Sequence, residues 1–254
     1  MAKIKGAKIK GPKPKINSFQ ATILTLFPDM FPATLGQSLA GRALQQGIWS
    51  LDVRNIRDYA RDKHKTVDDT PLGGGHGMVL RPDVVSAALD DVADKPGKRV
   101  YMSPRGVPLS QALVRELAQD DGMVIVCGRY EGLDQRVIDH HQLMEVSVGD
   151  YILSGGELAA QIMLDAIIRL QAGVMGKEIG HLEESFETGL LEHDLYTQPR
   201  AWQGRSAPDI LASGHHKKIA DWRADQSKQI TKERRPDLWE RFLTKNVTNS
   251  GDKS

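Results

Sequence analysis

The sequence predicts an α/β domain built on a parallel sheet, followed by a small helical domain. Strand-like stretches alternate with helix-like stretches over most of the 254 residues, and parallel strands need such crossover helices. The run Met123-Val124-Ile125-Val126-Cys127 is apolar throughout, as expected of a strand covered on both faces. Loops rich in glycine and hydrogen-bonding residues, at 101–106, 128–132 and 148–156, follow three of the strands. Parallel sheets bind ligands at such strand ends.

The first third of the chain is predicted to hold two strands, a helix and a long loop. Apolar residues over 19–27 indicate a strand, and Pro28-Asp29-Met30-Phe31-Pro32 then turns the chain into a helix that ends near Gly47. A second strand covers 48–53. Residues 56–79 show neither the alternating apolar pattern of a strand nor the apolar periodicity of a helix. Because structureless stretches of that length are uncommon inside compact domains, we expect a functional loop there.

Helices and strands alternate from residue 81 to residue 170. A helix over 81–94 begins with Pro82 in its first turn, where a missing N–H does no harm, and Ser110 is placed to cap a later helix. The other predicted strands cover 99–102, 123–127 and 144–148, and a further helix covers 157–170. Beyond Ser206 the pattern is helical again, and Arg234-Arg235-Pro236 separates the last helix from the one before it.

Composition and charge divide the chain into parts. Residues 1–15 hold six lysines and no acid, which predicts a disordered basic arm that is either solvated or in contact with RNA. Residues 200–245 hold eleven Lys and Arg against six Asp and Glu, a balance that suits phosphate contact. The predicted parts are an arm at 1–17, the α/β domain at 18–172, an interdomain linker at 173–199, a helical domain at 200–246 and a tail at 247–254.

Several classes of protein are disfavoured by what the sequence lacks. No apolar run approaches the roughly 20 residues of a membrane-spanning helix, and the N-terminus lacks the apolar core of a secretory signal. The single cysteine, Cys127, has no intrachain partner and is expected to be a small core residue, so a reducing cytoplasm fits best. Dinucleotide-binding, P-loop, esterase and zinc-peptidase motifs are missing. His215 and His216 are adjacent, so they face different sides of a helix and make a poor metal pair.

Four motifs together carry a resemblance to a known family. They are Leu26-Phe27-Pro28-Asp29-Met30-Phe31; Thr66-Val67-Asp68-Asp69 with Gly73-Gly74-Gly75; Val126-Cys127-Gly128-Arg129-Tyr130-Glu131-Gly132; and Ile152-Leu153-Ser154-Gly155-Gly156-Glu157. Over roughly residues 19–240 the chain resembles the bacterial tRNA (guanine-N1)-methyltransferases of the SPOUT class. The resemblance implies a trefoil knot, a homodimer, a helical C-terminal domain that binds tRNA, and S-adenosylmethionine held by three knot loops. It also implies methylation of N1 of the guanosine immediately 3′ of the anticodon, with magnesium as a possible requirement.

The resemblance places the cofactor in the three strand-end loops, where backbone N–H and C=O groups are expected to do most of the binding. For Tyr130 the alternative is simple packing. The residues implied are Tyr101, Met102, Ser103, Pro104, Gly128, Tyr130, Glu131, Gly132, Val148, Gly149, Asp150, Tyr151, Ile152, Leu153, Gly155 and Gly156.

Methylation of guanine N1 requires a base to remove its proton and a cation near O6. The resemblance gives these roles to Glu184 and Arg169. The family usually has aspartate at the first position, so the longer glutamate puts the geometry in question. Arg169 has a structural alternative, since Asp165 precedes it by one helical turn. Glu131 either supports ligand or metal binding or caps the following helix.

A set of basic and glycine residues is expected to contact tRNA, the alternative for each being a solvated surface. The set is Arg57, Arg61, Lys63, His64, Gly74, Gly75, His215, Lys217, Lys218 and Arg223. Two rival functions remain. One is a knotted methyltransferase with another target, such as a ribose 2′-hydroxyl. The other is an RNA-binding protein that holds the cofactor without turnover.

Overall fold

A computed structural model describes residues 18–175, 184–186 and 188–251, with side chains described up to residue 244. The chain divides into two compact units, Met1–Gly176 and Lys177–Ser254. The predicted basic arm at 1–17 lies outside the described residues, as do the last three residues of the predicted tail.

The first unit is built on a parallel sheet, as predicted. Five strands form this sheet in the spatial order β2-β1-β6-β5-β7, and every neighbouring pair runs parallel. Two short strands, β3 and β4, form a separate antiparallel hairpin. The strands are β1 (Phe19–Thr25), β2 (Trp49–Asn55), β3 (Asp68–Asp69), β4 (Val79–Leu80), β5 (Lys98–Pro108), β6 (Gly122–Cys127) and β7 (Met144–Ser147).

Helices cover both faces of the sheet. They are α1 (Ser38–Gln45), α2 (Pro82–Asp91), α3 (Gln111–Leu117), α4 (Gln135–His140) and α5 (Gly156–Ile168). Buried residues of α1, α3 and α5 share one apolar cluster, and those of α2 and α4 share another. The central strand β6 serves both, because Met123, Ile125 and Cys127 belong to the first cluster whereas Val124 and Val126 belong to the second. The prediction of a strand buried on both faces is confirmed.

The boundaries of two elements, α1 and β5, differ from the sequence-based expectation. The chain after β1 forms two 3₁₀ turns, Pro28–Met30 and Ala33–Gly36, before α1 begins. Strand β5 runs on to Pro108, with a register shift in its pairing with β7 between Met102 and Val107. That irregularity keeps the polar segment in the sheet and explains why the strand is longer than its apolar part.

Two helix caps bear on the sequence-based predictions for Ser110 and Glu131. The side chain of Ser110 accepts a hydrogen bond from the N–H of Leu113, so the predicted cap of α3 is confirmed. Helix α4 was not predicted, because its six residues are too few to show a period. Its N-cap is Asp134, which accepts from the N–H of Arg136. Capping by Glu131, one of the two alternatives for that residue, is therefore wrong.

The second unit contains a small hairpin and two helices. Strands β8 (Ala201–Trp202) and β9 (Arg205–Ser206) form the hairpin, and the helices are α6 (His216–Arg234) and α7 (Pro236–Gly251). The separation at Arg234-Arg235-Pro236 is as predicted. Helix α7 continues to Gly251, past residue 247, where the tail is predicted to begin, although the polar residues of this stretch have weak helix preference. The domain bounds stay a prediction. Among the described residues, no helix has both the length and the apolar character needed to cross a membrane.

Candidate functional site

The loops at the carboxyl ends of β5, β6 and β7 surround a cavity of about 340 Å³. Cavities for small ligands typically measure roughly 300–1,000 Å³. The start of α5 completes the wall. The lining residues are Tyr101, Met102, Ser103, Pro104, Arg105, Gly128, Arg129, Tyr130, Glu131, Gly132, Leu133, Val146, Ser147, Val148, Gly149, Tyr151, Ile152, Leu153, Gly155, Gly156 and Ala159.

The structure brings together all the residues predicted to bind the cofactor except Asp150. Asp150 is exposed at the apex of a tight turn, which the N–H of Tyr151 closes onto the carbonyl of Gly149 at 2.9 Å. The sequence-based set also omitted some residues of the wall: Arg105, Arg129, Leu133, Val146, Ser147 and Ala159. Tyr130 is 51% exposed, so its ring is not part of the core. Cofactor binding by these residues stays a prediction.

Two glycines allow the loop after β6 to meet the start of α5. The N–H of Gly156 donates to the carbonyl of Gly128 at 2.9 Å. A Cβ atom on Gly156 would lie 2.8 Å from the backbone nitrogen of Gly128 and 2.9 Å from the Cα of Cys127. Because backbone sits on both sides of this contact, no side-chain movement could relieve the clash. The glycine is needed for the close approach.

A buried ion pair lies beside that contact. The carboxylate of Glu157 is 1% exposed, and its Oε2 lies 2.9 Å from Nη2 of Arg129. The Oε1 atom accepts from the hydroxyl of Thr25 at 2.7 Å and from Nε of Arg129 at 3.2 Å. The guanidinium also donates to the carbonyl of Ser154 at 3.1 Å and stacks on the ring of Phe27 at 4.2 Å. One arginine thus joins β1, the loop after β6 and the loop before α5.

The ring of Tyr101 packs against the loop that follows β6. Its side chain is 4% exposed, and Cβ atoms built on Gly128 or Gly132 would come within about 3.0 Å of it. Burial raises the pKa of the Tyr101 hydroxyl, and the Glu145 carboxylate raises it further. The hydroxyl therefore stays neutral at physiological pH and contributes hydrogen bonding, not charge, to the cavity.

Cys127 ends β6 directly below the cavity and is fully buried. Burial raises the pKa of its thiol well above the ordinary value, with a further increase from the Glu157 carboxylate. A protonated, inaccessible thiol is a poor nucleophile. The prediction that Cys127 is a core residue is confirmed.

The Gly-rich stretch is the tip of the β3–β4 hairpin, not a structureless loop. Glycines 73, 74, 75 and 77 all have positive φ, and a Cβ on Gly73 or Gly74 would meet no atom within 4 Å. The base of the hairpin is joined to the wall of the cavity. The N–H of Glu131 donates to the carbonyl of Met78 at 2.9 Å, and the N–H of Leu80 donates to the carbonyl of Gly132 at 3.0 Å.

Residues predicted to contact RNA are exposed in both units. In the first unit, the predicted residues lie on the segment between β2 and β3 and on the hairpin tip. This segment is held by the carboxylate of Asp62, which accepts from the hydroxyl and N–H of Thr66, and this bonding lowers the pKa of Asp62. In the second unit they lie at or near the start of α6. The exposed residues are Arg57, Arg61, Lys63, His64, Gly74, Gly75, His215, Lys217, Lys218 and Arg223.

The two predicted catalytic residues belong to different units. Arg169 follows the last turn of α5 and is half-buried. Glu184 is half-buried at the start of a turn in the second unit. That turn is bonded through the hydroxyl of Ser185, which accepts from the N–H of Glu192 at 2.9 Å. Leu191, which directly precedes Glu192 in the sequence, donates its N–H to the hydroxyl of Thr231 in α6 at 2.8 Å.

A metal site was not predicted from side-chain clusters. In the described part of the chain, no group of three or more His, Cys, Asp or Glu side chains is placed to hold a metal ion.

Comparison with known proteins gives consistent matches over nearly the whole described chain. The family model described as tRNA (Guanine-1)-methyltransferase TrmD matches residues 19–241. The tRNA (guanine-N(1)-)-methyltransferase of Rhodospirillum rubrum is 56% identical over 226 residues, which are 89% of this chain and 95% of the relative. The protein of the same name from Mesorhizobium japonicum is 60% identical over 224 residues, covering 87% of this chain and 96% of the relative.

Proposed function

Because the chain belongs to the tRNA (guanine-1)-methyltransferase TrmD family and is a methyltransferase, we propose that it methylates N1 of the guanosine immediately 3′ of the anticodon in tRNA, using S-adenosylmethionine. The observation that carries the proposal is the cavity at the ends of β5, β6 and β7. It lies inside the matched range and is formed by the loops expected to hold a methyl donor.

The residues of the cavity fit S-adenosylmethionine. The loops present backbone N–H and C=O groups that suit the edge of an adenine and an amino-acid head group, and Met102, Val146 and Leu153 offer apolar surface between them. The neutral Tyr101 adds a hydroxyl without adding charge. When bound, the cofactor supplies a methyl group on a positively charged sulfur. The protein's task is to orient that group and to exclude water.

Activation of the acceptor falls to two side chains outside the cavity wall. Glu184 takes the proton from N1 of the guanine as the new N–C bond forms, and the guanidinium of Arg169 stabilises the negative charge that develops on O6. A glutamate at the position where the family usually has aspartate adds one methylene to the reach of the carboxylate.

An assay with two tRNA transcripts tests the reaction. The protein, radiolabelled S-adenosylmethionine and magnesium are incubated with transcripts that carry guanosine or adenosine 3′ of the anticodon. We expect label in N1-methylguanosine from the first transcript and none from the second. Label on a ribose would indicate a different knotted methyltransferase, and bound cofactor without transfer would indicate a binding protein; either result overturns the proposal. Omitting magnesium tests whether the ion is required.

The role of Glu184 is tested by Glu184→Gln. We expect its single-turnover rate to fall by at least about a hundredfold at neutral pH, because a positioned base typically contributes 10²–10⁴-fold. The matched control is Glu192→Gln, an exposed carboxylate on the same stretch of chain, which should retain the wild-type rate. A wild-type rate for Glu184→Gln at every pH would remove Glu184 from the mechanism.

The remaining features of the family extend this proposal. The chain leaves β7 on one side of β5 and returns to the end of β6 on the other side, where Gly156 meets Gly128; this crossing supports a trefoil knot.

Leu158 and Ile162 are four residues apart on α5 and about half exposed, which supports a homodimer. Light scattering should give twice the chain mass for the wild type and the single mass for Ile162→Asp. The exposed cations of α6 support a tRNA-binding C-terminal domain, and the substrate supports a cytoplasmic location.

A further inference from the structure

The β8–β9 hairpin presents a tryptophan to solvent. Trp202 is 60% exposed and lies opposite Arg205 across the two strands. The turn between them is formed by Gln203 (φ 48°) and Gly204 (φ 75°), and two successive positive φ angles are typical of a tight two-residue hairpin. The indole is therefore held on a strand that ends in a tight turn and not on a loose loop.

The other tryptophans of the chain have an evident structural role. Trp49 is fully buried, and its indole N–H donates to the carbonyl of Ala40. Trp222 lies against the rings of His193 and Tyr196, with centroids 6.5 and 6.3 Å away, and Trp239 stacks on Phe242 at 5.6 Å. Within the described residues, Trp202 has no such ring partner. Its exposure is not explained by packing within the unit.

The hairpin is also positively charged. Residues 195–208 contain two arginines and no acidic residue. Arg200 is paired with Asp209 at 2.7 Å. Arg205 is exposed and has no ion pair within the part of the chain that the structure describes. An unpaired guanidinium therefore lies beside an uncovered indole.

We infer that this hairpin is a stacking surface for an unpaired base of the RNA substrate, with Trp202 against the base and Arg205 at a neighbouring phosphate. Unstacked bases in RNA loops bind aromatic side chains, and arginine binds phosphate. A folded protein surface would offer the indole apolar contact as well, but it would not account for the free cation. The inference rests on the proposed function, because that function supplies an RNA with an unpaired loop.

The test measures binding of an anticodon stem-loop RNA to the full chain by fluorescence anisotropy. Trp202→Leu keeps apolar bulk and removes the ring, and should weaken binding roughly 5- to 100-fold, the range expected for loss of one base stack. Trp202→Phe should retain most of the wild-type affinity. Leu195→Ala, a change at a residue that is 72% exposed in the same unit, serves as the matched control and should bind like the wild type. Circular dichroism confirms that each variant is folded.

Two further arms separate the indole from the charge. A fully paired RNA duplex offers no unpaired base, so Trp202→Leu should bind it as the wild type does. Arg205→Ala should reduce the slope of log affinity against log salt concentration by about 1, whereas Trp202→Leu should leave that slope unchanged.

Equal affinity of Trp202→Leu and wild type for the stem-loop would overturn the inference and leave the proposed function intact. The same holds if Trp202→Leu alters the mass of the assembly instead of RNA affinity, since the indole would then contact a second copy of the chain. A wild-type protein that neither binds nor methylates tRNA would overturn both.

Discussion

The cavity in the first unit and the surface of the second unit differ in what holds their residues in place. Around the cavity, bonds join positions far apart in the sequence, and Thr25 and Glu157 are 132 residues apart. In the second unit, most of the described side-chain hydrogen bonds join residues that lie within a few positions of each other in the sequence, such as Arg235 and Asp237. The first arrangement fixes a shape for a small ligand. The second leaves exposed side chains free to adjust to a large partner.

The burial of charge differs in the same way. The Arg129–Glu157 pair is almost removed from water, whereas Asp237 is exposed and its pKa is lowered to about 2, mainly by the hydrogen bond from Arg235. Exposed pairs stabilise a fold little, because water competes for both partners. Buried pairs are different, since removal of one partner leaves a charge without solvation. Changes near the cavity should therefore have larger effects than changes of the same type elsewhere.

The largest effect concerns Cys127. In the folded protein its thiol should react with iodoacetamide at least about a thousandfold more slowly than in denaturant, because reaction requires unfolding. The raised thiol pKa adds a pH dependence. As pH rises past the ordinary thiol pKa of about 8.5, the unfolded chain loses the proton first, so the free energy of unfolding should fall. Mass spectrometry of samples taken at successive times measures the rate of alkylation by iodoacetamide. Alkylation of native protein at the rate of a free thiol would show that β6 is not buried.

The second effect compares two arginine pairs. Arg129→Met leaves the Glu157 carboxylate buried without a cation, with only the Thr25 hydroxyl bonded to it among the described residues, and should lower the free energy of unfolding by about 3–5 kcal/mol. Arg136→Met breaks an ion pair whose arginine is 71% exposed and should cost less than about 1 kcal/mol. Urea denaturation measures both. Similar losses for the two variants would contradict the importance assigned to burial.

The third effect compares two glycines. Gly156→Ala should cost about 1–3 kcal/mol because its Cβ meets backbone, and it should raise the KM for S-adenosylmethionine more than tenfold by separating the loops of the cavity. A Cβ atom on residue 214 would meet no atom within 4 Å. Gly214→Ala should therefore lower the free energy of unfolding only through the strain of a positive φ, by roughly 1 kcal/mol. Its KM for the cofactor should match the wild type. An unchanged KM in Gly156→Ala would separate that contact from cofactor binding.

The smallest effect is expected within the second unit. Thr231→Val removes the hydroxyl that accepts from the N–H of Leu191, and leaving this donor unpaired should cost about 1–2 kcal/mol locally. Hydrogen exchange at Leu191 should become about tenfold faster. Thr244→Val is the control, because the Thr244 hydroxyl donates to a carbonyl of its own exposed helix. Equal exchange in both variants would mean that Thr231 does not fix the segment that follows Glu184.

Much of the parallel sheet could be predicted because its strands are local apolar patterns. The run at β6 and the strand–helix alternation needed no long-range information. The hairpin of β3 and β4 could not be predicted, since two-residue strands carry no pattern and depend on bonds to residues 131–133. Helix α4 is similar, because its six residues are defined by the cap at Asp134.

The loops of the candidate site could be predicted from the sequence, but the side chains that hold those loops together could not. Glycine and small polar residues after three strands indicated the cavity, because turns need those residues. The role of Arg129 and Glu157 was missed, although a glutamate in the first turn of a mostly apolar helix was a usable signal, since a buried carboxylate needs a partner. The catalytic assignments of Arg169 and Glu184 stay predictions, as local sequence does not determine which residues of two units act on one substrate.

The strand order has a consequence for how the chain acquires its structure. Strand β1 pairs with β6, so Gln20 finds its partner at Gly122 only after about a hundred intervening residues have been made. At typical synthesis rates of 5–20 residues per second, β1 waits some seconds on the ribosome with an apolar edge unpaired. Such non-local pairing also slows refolding. The same central strand that buries the protein's only thiol therefore sets the earliest moment at which the sheet can close.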